Sequence, residues 1–233
     1  MNVASGAMLA LWHNERENAL DNPTEPDKWK LPDEDALREA AKHSNIDNLI
    51  IDEKNSTVYL SDPDMRLDVG AVAKGYATER IAEELEAMGV DNYVLNIGGN
   101  IRMIGGLYSG EAHTIHIRNP KEPYSTNYSV SISAKDISCV TSGNYERYYY
   151  VGQERYHHII DPDTLYPASL FDAVTILTKD SGLADALSTA LFCISEKDGR
   201  ELLSSLDCEV DVIWIYPNGQ VSMTDGIVVK NSR

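Results

Sequence analysis

The feature that most constrains the fold of this chain is a run at 177–194 that ends a strand and opens a helix. Apolar side chains recur in it at helical spacing: Leu183, Leu187, Leu191 and Ile194. This spacing predicts a helix that buries one stripe against a core. Asp185 and Thr189 are four positions apart, so they share another face of the same helix.

The pair formed by Asp185 and Thr189 has two interpretations. Two oxygen ligands one helical turn apart suit a hard cation such as Mg2+, which keeps other positions for water or phosphate. Alternatively, Asp185 is an acid that the helix dipole favours near the first turn, and Thr189 is an ordinary helical residue. The spacing by itself leaves both interpretations open.

Composition excludes some classes of function. With 233 residues, 42% of them hydrophobic, the chain can bury a core as one large domain or two small ones. The formal net charge of −17 and the pI near 4.6 argue against nonspecific nucleic-acid binding, which depends on Lys and Arg. An anionic ligand must therefore be bound locally by backbone amides, a metal or a few placed cations.

Cysteine spacing and hydropathy give no sign of a thiolate metal site or of a membrane span. Cys139, Cys193 and Cys208 are not spaced as metal ligands. We find no basic region followed by an apolar stretch at the start, and no apolar run long enough to cross a bilayer. We expect a soluble chain without a visible export signal.

The first half of the chain is predicted to begin with an apolar segment at 1–12 and a polar, proline-punctuated loop at 13–36. The acids after Pro32 predict a short helix that ends near His43. A β-hairpin is expected from 49–51 and 57–60.

A second helix is predicted at 77–88, with Gly89 as its C-terminal cap, before a strand at 93–97. The glycine pair that follows this strand would let backbone amides approach a phosphate, but it is also simply a tight turn. Further strands are predicted at 113–118, 128–133, 137–141, 145–151, 173–177, 210–216 and 221–223, with a turn at 142–144. Hairpins with a few inserted helices indicate an α+β fold.

Three separated stretches together resemble the ApbE family, the FAD:protein FMN transferases. The first is LDVGAVAKGYA (67–77), continuing to NIGGN (96–100). The second is SGNYER (142–147) with YHHIIDP (156–162), and the third is ADALSTAL (184–191). Their order and spacing carry the resemblance, which implies one ApbE-like domain over 1–233, with a largely antiparallel or mixed β-sheet and several flanking helices. The segment 2–12 resembles one that lies well inside family members, so the family's N-terminal portion is expected to be missing.

The resemblance implies a set of binding residues. Asp185 and Thr189 would bind Mg2+ through their side-chain oxygens, with the backbone carbonyl of Ala71 as a further ligand. Asp68 and Lys74 match family positions that line the FAD site, and Asn2 matches one near the adenosine part. Gly98, Gly99 and Asn100 match the backbone turn near the bound dinucleotide.

His158, which precedes the Ile-Asp-Pro element, matches the family histidine that we take as the catalytic base. An imidazole can accept a proton near neutral pH, although a histidine beside a β-run is also commonly structural. His157 is the weaker candidate because its position looks looser in the family. Leu165 departs from the family's usual glycine, so the turn before Pro167 must differ in geometry or carry strain.

The resemblance implies Mg2+-dependent transfer of FMN from FAD to a Thr or Ser hydroxyl of an acceptor flavoprotein of an electron-transfer system, with release of AMP. Two alternatives remain: hydrolysis of FAD to FMN and AMP, and noncatalytic flavin binding. No nucleic acid or membrane span is expected. Localisation does not follow from the chain, while the family precedent is extracytoplasmic and membrane-anchored.

Overall fold

The computed structural model describes residues 2–230. Within them the helices are α1 (Gly6–Asp21), α2 (Glu34–Lys42), α3 (Ala73–Ala87), α4 (Ser181–Phe192) and α5 (Glu196–Ser204). The strands are β1 (Leu49–Asp52), β2 (Thr57–Leu60), β3 (Tyr93–Ile97), β4 (Asn100–Ile104), β5 (His113–Arg118), β6 (Tyr128–Ala134), β7 (Ser138–Gly143), β8 (Tyr148–Val151), β9 (Glu154–His157), β10 (Ala173–Thr178), β11 (Asp211–Ile215) and β12 (Val221–Met223). This set of helices and strands confirms the predicted α+β class.

The described residues divide into two compact units. The first comprises the chain through Val69 together with Glu146–Ala168, and the second comprises Gly70–Tyr145 and the chain from Ser169 onward. No helix within residues 2–230 is both long and apolar enough to cross a membrane.

The first unit has a core around α1. Met8, Trp12 and Ala19 of this helix are buried and pack with residues of α2, β8 and the segment after β9. The predicted loop over 13–36 is therefore wrong at its start, because α1 continues to Asp21. A narrow apolar stripe under a polar exterior is enough to hold the helix once it packs against a core. The β1–β2 and β8–β9 hairpins complete this unit.

The second unit is built on a six-stranded antiparallel sheet in the order β12-β11-β10-β7-β4-β3. Strand β10 is buried along its whole length and pairs with β7 and β11. Apolar residues of the sheet and of the β5–β6 hairpin form its core, with Ile132, Ala173 and Ile213 fully buried. This layer is the support against which the helices of the site are placed.

Helices α3 and α4 pack against each other on this sheet. Helix α4 lies on β7 and β10, and α3 contacts β3 and β4. Asp180 begins α4 as its N-cap, since its carboxylate accepts a hydrogen bond from the Leu183 N–H at 2.7 Å. The strand end, cap and helix predicted within 177–194 are confirmed: β10 ends at Thr178, Asp180 is the cap and α4 follows.

Two predicted boundaries are wrong in the second unit. Helix α3 begins at Ala73, four residues before the predicted start at residue 77. Ser142 and Gly143, predicted as a turn, are the last residues of β7 and pair with β10. In both cases long-range contacts extend an element into a stretch whose local sequence suggests a loop or turn.

Leu165, in the first unit, has a φ of 63°. This left-handed conformation favours glycine and is strained for a branched side chain. The chain thus keeps a glycine-like backbone while carrying leucine. A leucine in this conformation is expected to carry the local strain that its departure from the family's glycine predicts.

Candidate metal centre between helices α3 and α4

The centre of the candidate site is the carboxylate of Asp185, whose residue is 3% exposed. Its Oδ2 accepts a hydrogen bond from the backbone N–H of Gly75 at 2.8 Å. Helix α3 has no side-chain cap of its own at Val72. Asp185 therefore supplies the cap from the neighbouring helix, where the dipole of α3 favours negative charge.

Gly75 allows the two helices to approach closely enough for this hydrogen bond. A Cβ at this position would lie 2.2 Å from the Ser181 carbonyl oxygen and 2.5 Å from the Asp185 Cβ. Both distances are far below van der Waals contact, and neither neighbouring atom is the end of a flexible side chain. Any larger residue must push α3 away from α4, which would break the hydrogen bond from the Gly75 N–H to Asp185.

A second connection between the helices lies one turn along α3, at Glu79. Its Oε2 accepts a hydrogen bond from the Ser181 N–H at 2.7 Å, and the Arg102 Nε lies 3.4 Å from the same oxygen. Arg102 on β4 is 7% exposed. This ion pair fixes the first turn of α4, and Asp185 lies one turn after Ser181 in the same helix.

Lys74 lies next to the carboxylate on its other side. Its Nζ is 3.6 Å from Oδ1 of Asp185 and donates a hydrogen bond to Oδ1 of Asn100 at 2.8 Å. Asn100, the first residue of β4, is 1% exposed. Its Nδ2 is buried and has no hydrogen-bond partner among the residues that the structure describes. The site therefore offers one cation and one unused donor beside a buried carboxylate.

Thr189 is one turn after Asp185, on a half-buried stretch of α4. Its Oγ1 lies 3.3 Å from Oγ of Ser142, which is also 2.8 Å from Oγ of Ser188. Ser188 in turn donates to the Asp185 carbonyl at 2.9 Å. The Thr189 hydroxyl therefore belongs to a small hydroxyl network between α4 and β7, which fixes its orientation.

The three predicted metal ligands fit a hard cation by their chemistry. Asp185 offers a carboxylate, Thr189 a hydroxyl and Ala71 a backbone carbonyl, and oxygen donors of these kinds suit Mg2+. Ala71 is half-buried in the turn that leads into α3, four residues before the Gly75 N–H that binds Asp185. Because Oδ2 of Asp185 already accepts from Gly75, Oδ1 is the oxygen better placed for a cation.

Gly98 and Gly99 form the two-residue turn of the β3–β4 hairpin, with φ values of 58° and 93°. Positive φ at both positions is typical of a type I′ turn, so the tight-turn interpretation is correct for the backbone. A Cβ on Gly98 would lie 3.8 Å from Cδ of Lys74. The turn thus adjoins the lysine side chain, and phosphate binding by its amides stays a prediction.

The structure places three predicted site residues, Asn2, Asp68 and His158, in the other unit. Asn2 donates from Nδ2 to the Ser44 carbonyl at 2.7 Å and accepts at Oδ1 from the Ala4 N–H at 2.9 Å. Its amide therefore anchors the start of α1, a structural role that the sequence did not indicate. Asp68 is exposed, and its N–H donates to the carbonyl of Val3 at 2.8 Å.

His158 is half-buried, and its Nδ1 has no hydrogen-bond partner within residues 2–230. Burial, together with the positive charge of Arg147, lowers the pKa of His158 from 6.5 to about 4. The imidazole is consequently neutral at physiological pH and can accept a proton, although as a weaker base than an exposed histidine.

His157 is held in a structural position. It is buried, its Nε2 donates to the Ala168 carbonyl at 2.8 Å, and its Nδ1 accepts from the Ile159 N–H at 3.2 Å. Both ring nitrogens are thus bound to the backbone. This arrangement supports the preference for His158 over His157 as the candidate base.

A further group of possible metal ligands lies in the first unit. His43, Asp62 and Asp64 present ligand atoms within 4.8 Å of one another, and the His43 Nδ1 lies 2.8 Å from Oδ2 of Asp62. The hydrogen bond to Asp62 raises the pKa of His43. The sequence did not indicate this group, and the hydrogen bond accounts for its arrangement.

Comparison with known proteins places the chain in a family. The model of the ApbE family matches residues 1–214. The FAD:protein FMN transferase of Treponema pallidum is 34% identical over 97% of this chain and 63% of its own length. The protein of the same name from Klebsiella pneumoniae is 32% identical over 96% of this chain and 65% of its own length.

Solved structures give the same result for the fold. The ApbE protein of Thermotoga maritima superposes with a TM-score of 0.81 at 29% identity, covering 96% of this chain and 69% of that protein. The flavin transferase ApbE of Vibrio cholerae superposes with a TM-score of 0.73 at 26% identity, covering 96% of this chain and 68% of its own. The chain spans about two thirds of the length of these relatives, and within that span it belongs to the ApbE family.

Proposed function

We propose that the chain transfers FMN from FAD to a Thr or Ser hydroxyl of an acceptor protein, with Mg2+ bound at Asp185 and with release of AMP. Relatives named FAD:protein FMN transferase support the reaction class. The observation that carries the proposal is the buried Asp185 carboxylate, with one oxygen on the Gly75 N–H and the other facing Lys74. A carboxylate oxygen in this position can bind a cation that in turn binds an anionic ligand.

In this proposal Asp185, Thr189 and the Ala71 carbonyl hold Mg2+. When bound there, the ion would neutralise negative charge on the pyrophosphate. A local cation is needed because the chain carries a formal net charge of −17, which repels an anionic dinucleotide. The hydroxyl network around Ser142 and Thr189 would keep one ligand oriented.

The same part of the site offers donors for phosphate oxygens. Lys74 supplies an ammonium, and the Asn100 Nδ2 is a buried donor without a partner among the described residues. The Gly98–Gly99 turn leaves its backbone accessible beside the lysine side chain. An anionic pyrophosphate would give the Asn100 Nδ2 the acceptor that it lacks, which offsets the cost of burying it. The Gly99 N–H already donates to Oδ1 of Asn96 at 3.1 Å.

We assign the role of base to His158, whose neutral imidazole has an unpartnered buried Nδ1 within the described chain. The hydroxyl oxygen of the acceptor would form a bond to the FMN-side phosphorus while its proton passes to the imidazole. The bond from that phosphorus to the oxygen of the AMP portion breaks, and AMP leaves with the bonding electrons. The products are a phosphoester-linked FMN and AMP.

By resemblance, the proposed acceptor is a flavoprotein subunit of an electron-transfer system. The family precedent for such a reaction is extracytoplasmic and membrane-anchored. We propose the same location for the reaction of this chain.

The test incubates the purified chain with FAD and Mg2+, with and without an acceptor flavoprotein, and follows AMP release together with in-gel flavin fluorescence. We expect AMP and a fluorescent acceptor band, both lost in Asp185→Asn. AMP and free FMN with an unmodified acceptor would instead identify an FAD hydrolase. FAD binding without AMP under any metal condition would identify a noncatalytic flavin-binding protein and contradict the proposal.

A further inference from the structure

Lys74 occupies an unusual position for a residue expected to bind only a flavin phosphate. Its ammonium lies between two oxygens, at 2.8 Å from Oδ1 of Asn100 and 3.6 Å from Oδ1 of Asp185. The Asp185 side chain is 5% exposed, whereas that of Lys74 is 36% exposed. The buried carboxylate thus has a neighbouring positive charge whose own side chain still reaches solvent.

A buried carboxylate needs such a charge to offset the loss of hydration. The Gly75 N–H satisfies Oδ2, and the Lys74 ammonium compensates Oδ1. A divalent cation bound to Oδ1 would compensate the same oxygen more strongly. It would also lie within a few ångströms of the ammonium, so the two positive charges would repel each other.

The lysine has room to move away from Asp185. Its side chain passes the Gly98–Gly99 turn, where a Cβ on Gly98 would be 3.8 Å from the Lys74 Cδ and one on Gly99 would have no atom within 4 Å. A lysine is a flexible point charge rather than a fixed fork, so its ammonium can change partners by rotating its stem. The nearest proposed site for an anionic ligand is this same turn.

We propose that Lys74 is a counter-cation of Asp185 that a divalent metal displaces, and that the released ammonium then binds the phosphates of the ligand. This inference rests on the proposed metal site at Asp185. Binding of metal and binding of pyrophosphate then favour each other. Both favour the position in which the Lys74 ammonium has moved away from Asp185. By linkage, metal must tighten FAD binding by the same factor as FAD tightens metal binding.

The experiment titrates the full chain with Mn2+ and measures free Mn2+ by electron paramagnetic resonance, with and without FAD. Lys74→Met removes the charge and keeps an unbranched stem, and Lys74→Gln is a second uncharged variant. Lys197→Met is the control, because it removes an exposed lysine of α5 in the same unit and so makes the same change in net charge.

Without FAD, we expect both uncharged Lys74 variants to bind Mn2+ about tenfold more tightly than the wild type, because a competing charge is gone. We also expect FAD to enhance Mn2+ binding less in these variants than in the wild type. Lys197→Met should match the wild type. In metal-free buffer, Lys74→Met should unfold at a lower temperature, and Mn2+ should restore more of its stability than it adds to the wild type.

Equal or weaker Mn2+ binding by both Lys74 variants would overturn the inference while leaving the metal site intact. Absence of Mn2+ binding by the wild type would overturn both the inference and the proposed metal site. Tighter binding by Lys197→Met would also overturn the inference, since the effect would then be one of net charge.

Discussion

The backbone N–H of Gly75 and the carboxylate of Asp185 are joined by a hydrogen bond of 2.8 Å between residues 110 positions apart in the chain. One carboxylate oxygen thereby caps helix α3, and the other lies 3.6 Å from the Nζ of Lys74. The structural and functional interpretations of Asp185 are therefore compatible. The same side chain stabilises the pair of helices and leaves Oδ1 for the metal of the proposed function.

Asp185→Asn and Asp185→Ala should separate these two roles. Asparagine keeps an acceptor for the Gly75 N–H but not the charge, so we expect loss of metal binding with little change in stability. Alanine also leaves that N–H uncapped, and its free energy of unfolding should fall by about 1–2 kcal/mol. Urea unfolding and Mn2+ titration of both variants would measure the two effects. Metal binding retained by Asp185→Ala would exclude Asp185 as a ligand.

Gly75→Ala should disrupt the contact between α3 and α4. The added Cβ would lie 2.2 Å from the Ser181 carbonyl oxygen, so we expect a loss of at least about 2 kcal/mol in the free energy of unfolding. Gly199→Ala in α5 is the control, since its Cβ would lie 3.2 Å from Cδ2 of Leu191, a much milder contact than the one at Gly75. Chemical denaturation should show a change within about 1 kcal/mol for that control. Similar losses in both variants would argue against close packing at Gly75.

Replacement of Leu165 should reveal the strain at its φ of 63°. In an ordinary loop alanine is at least as stable as glycine, because glycine has more entropy to lose on folding. At Leu165 we expect the reverse, with Leu165→Gly more stable than Leu165→Ala by about 1 kcal/mol. Thermal unfolding of the two variants makes the comparison independent of the lost leucine packing. An alanine variant that is the more stable of the two would contradict a strained backbone.

His158 should make stability depend on pH in a defined window. Its pKa is about 4 in the folded chain against an ordinary value of 6.5. Between these values the unfolded chain binds more protons, so the free energy of unfolding should fall as the pH drops from 6.5 toward 4, by up to about 3 kcal/mol. Above pH 6.5 His158 contributes no pH dependence. The difference between wild type and His158→Gln in urea unfolding at several pH values isolates this contribution, and a difference that is constant across the window would contradict it.

The extent to which the sequence predicts the fold depends on whether the signal is local. The β1–β2 hairpin and helix α2 were correctly predicted because turn residues, caps and periodicity lie within the elements themselves. The start of α3 was not correctly predicted, because the cap of this helix is the side chain of Asp185 on another helix. Helix α1 was not predicted, because its buried stripe is narrow and its remaining surface is polar.

The site shows the same division. Asp185, Lys74 and Asn100 were proposed from sequence motifs, and the structure brings their side chains together. The contributions of Gly75, Glu79 and Arg102 were not predicted, because they depend on how closely α3, α4 and β4 pack. Gly75 lies inside a motif that carried the resemblance, but only the packing shows that its lack of a Cβ is what the site requires.

The most direct test of the account compares AMP released with flavin covalently attached to an acceptor flavoprotein, with FAD and either Mg2+ or excess chelator. The account predicts one attached flavin for each AMP in Mg2+, and loss of both products in chelator or in Asp185→Asn. AMP released without attached flavin, or equal amounts of both products in chelator, would contradict metal-dependent flavin transfer by this site.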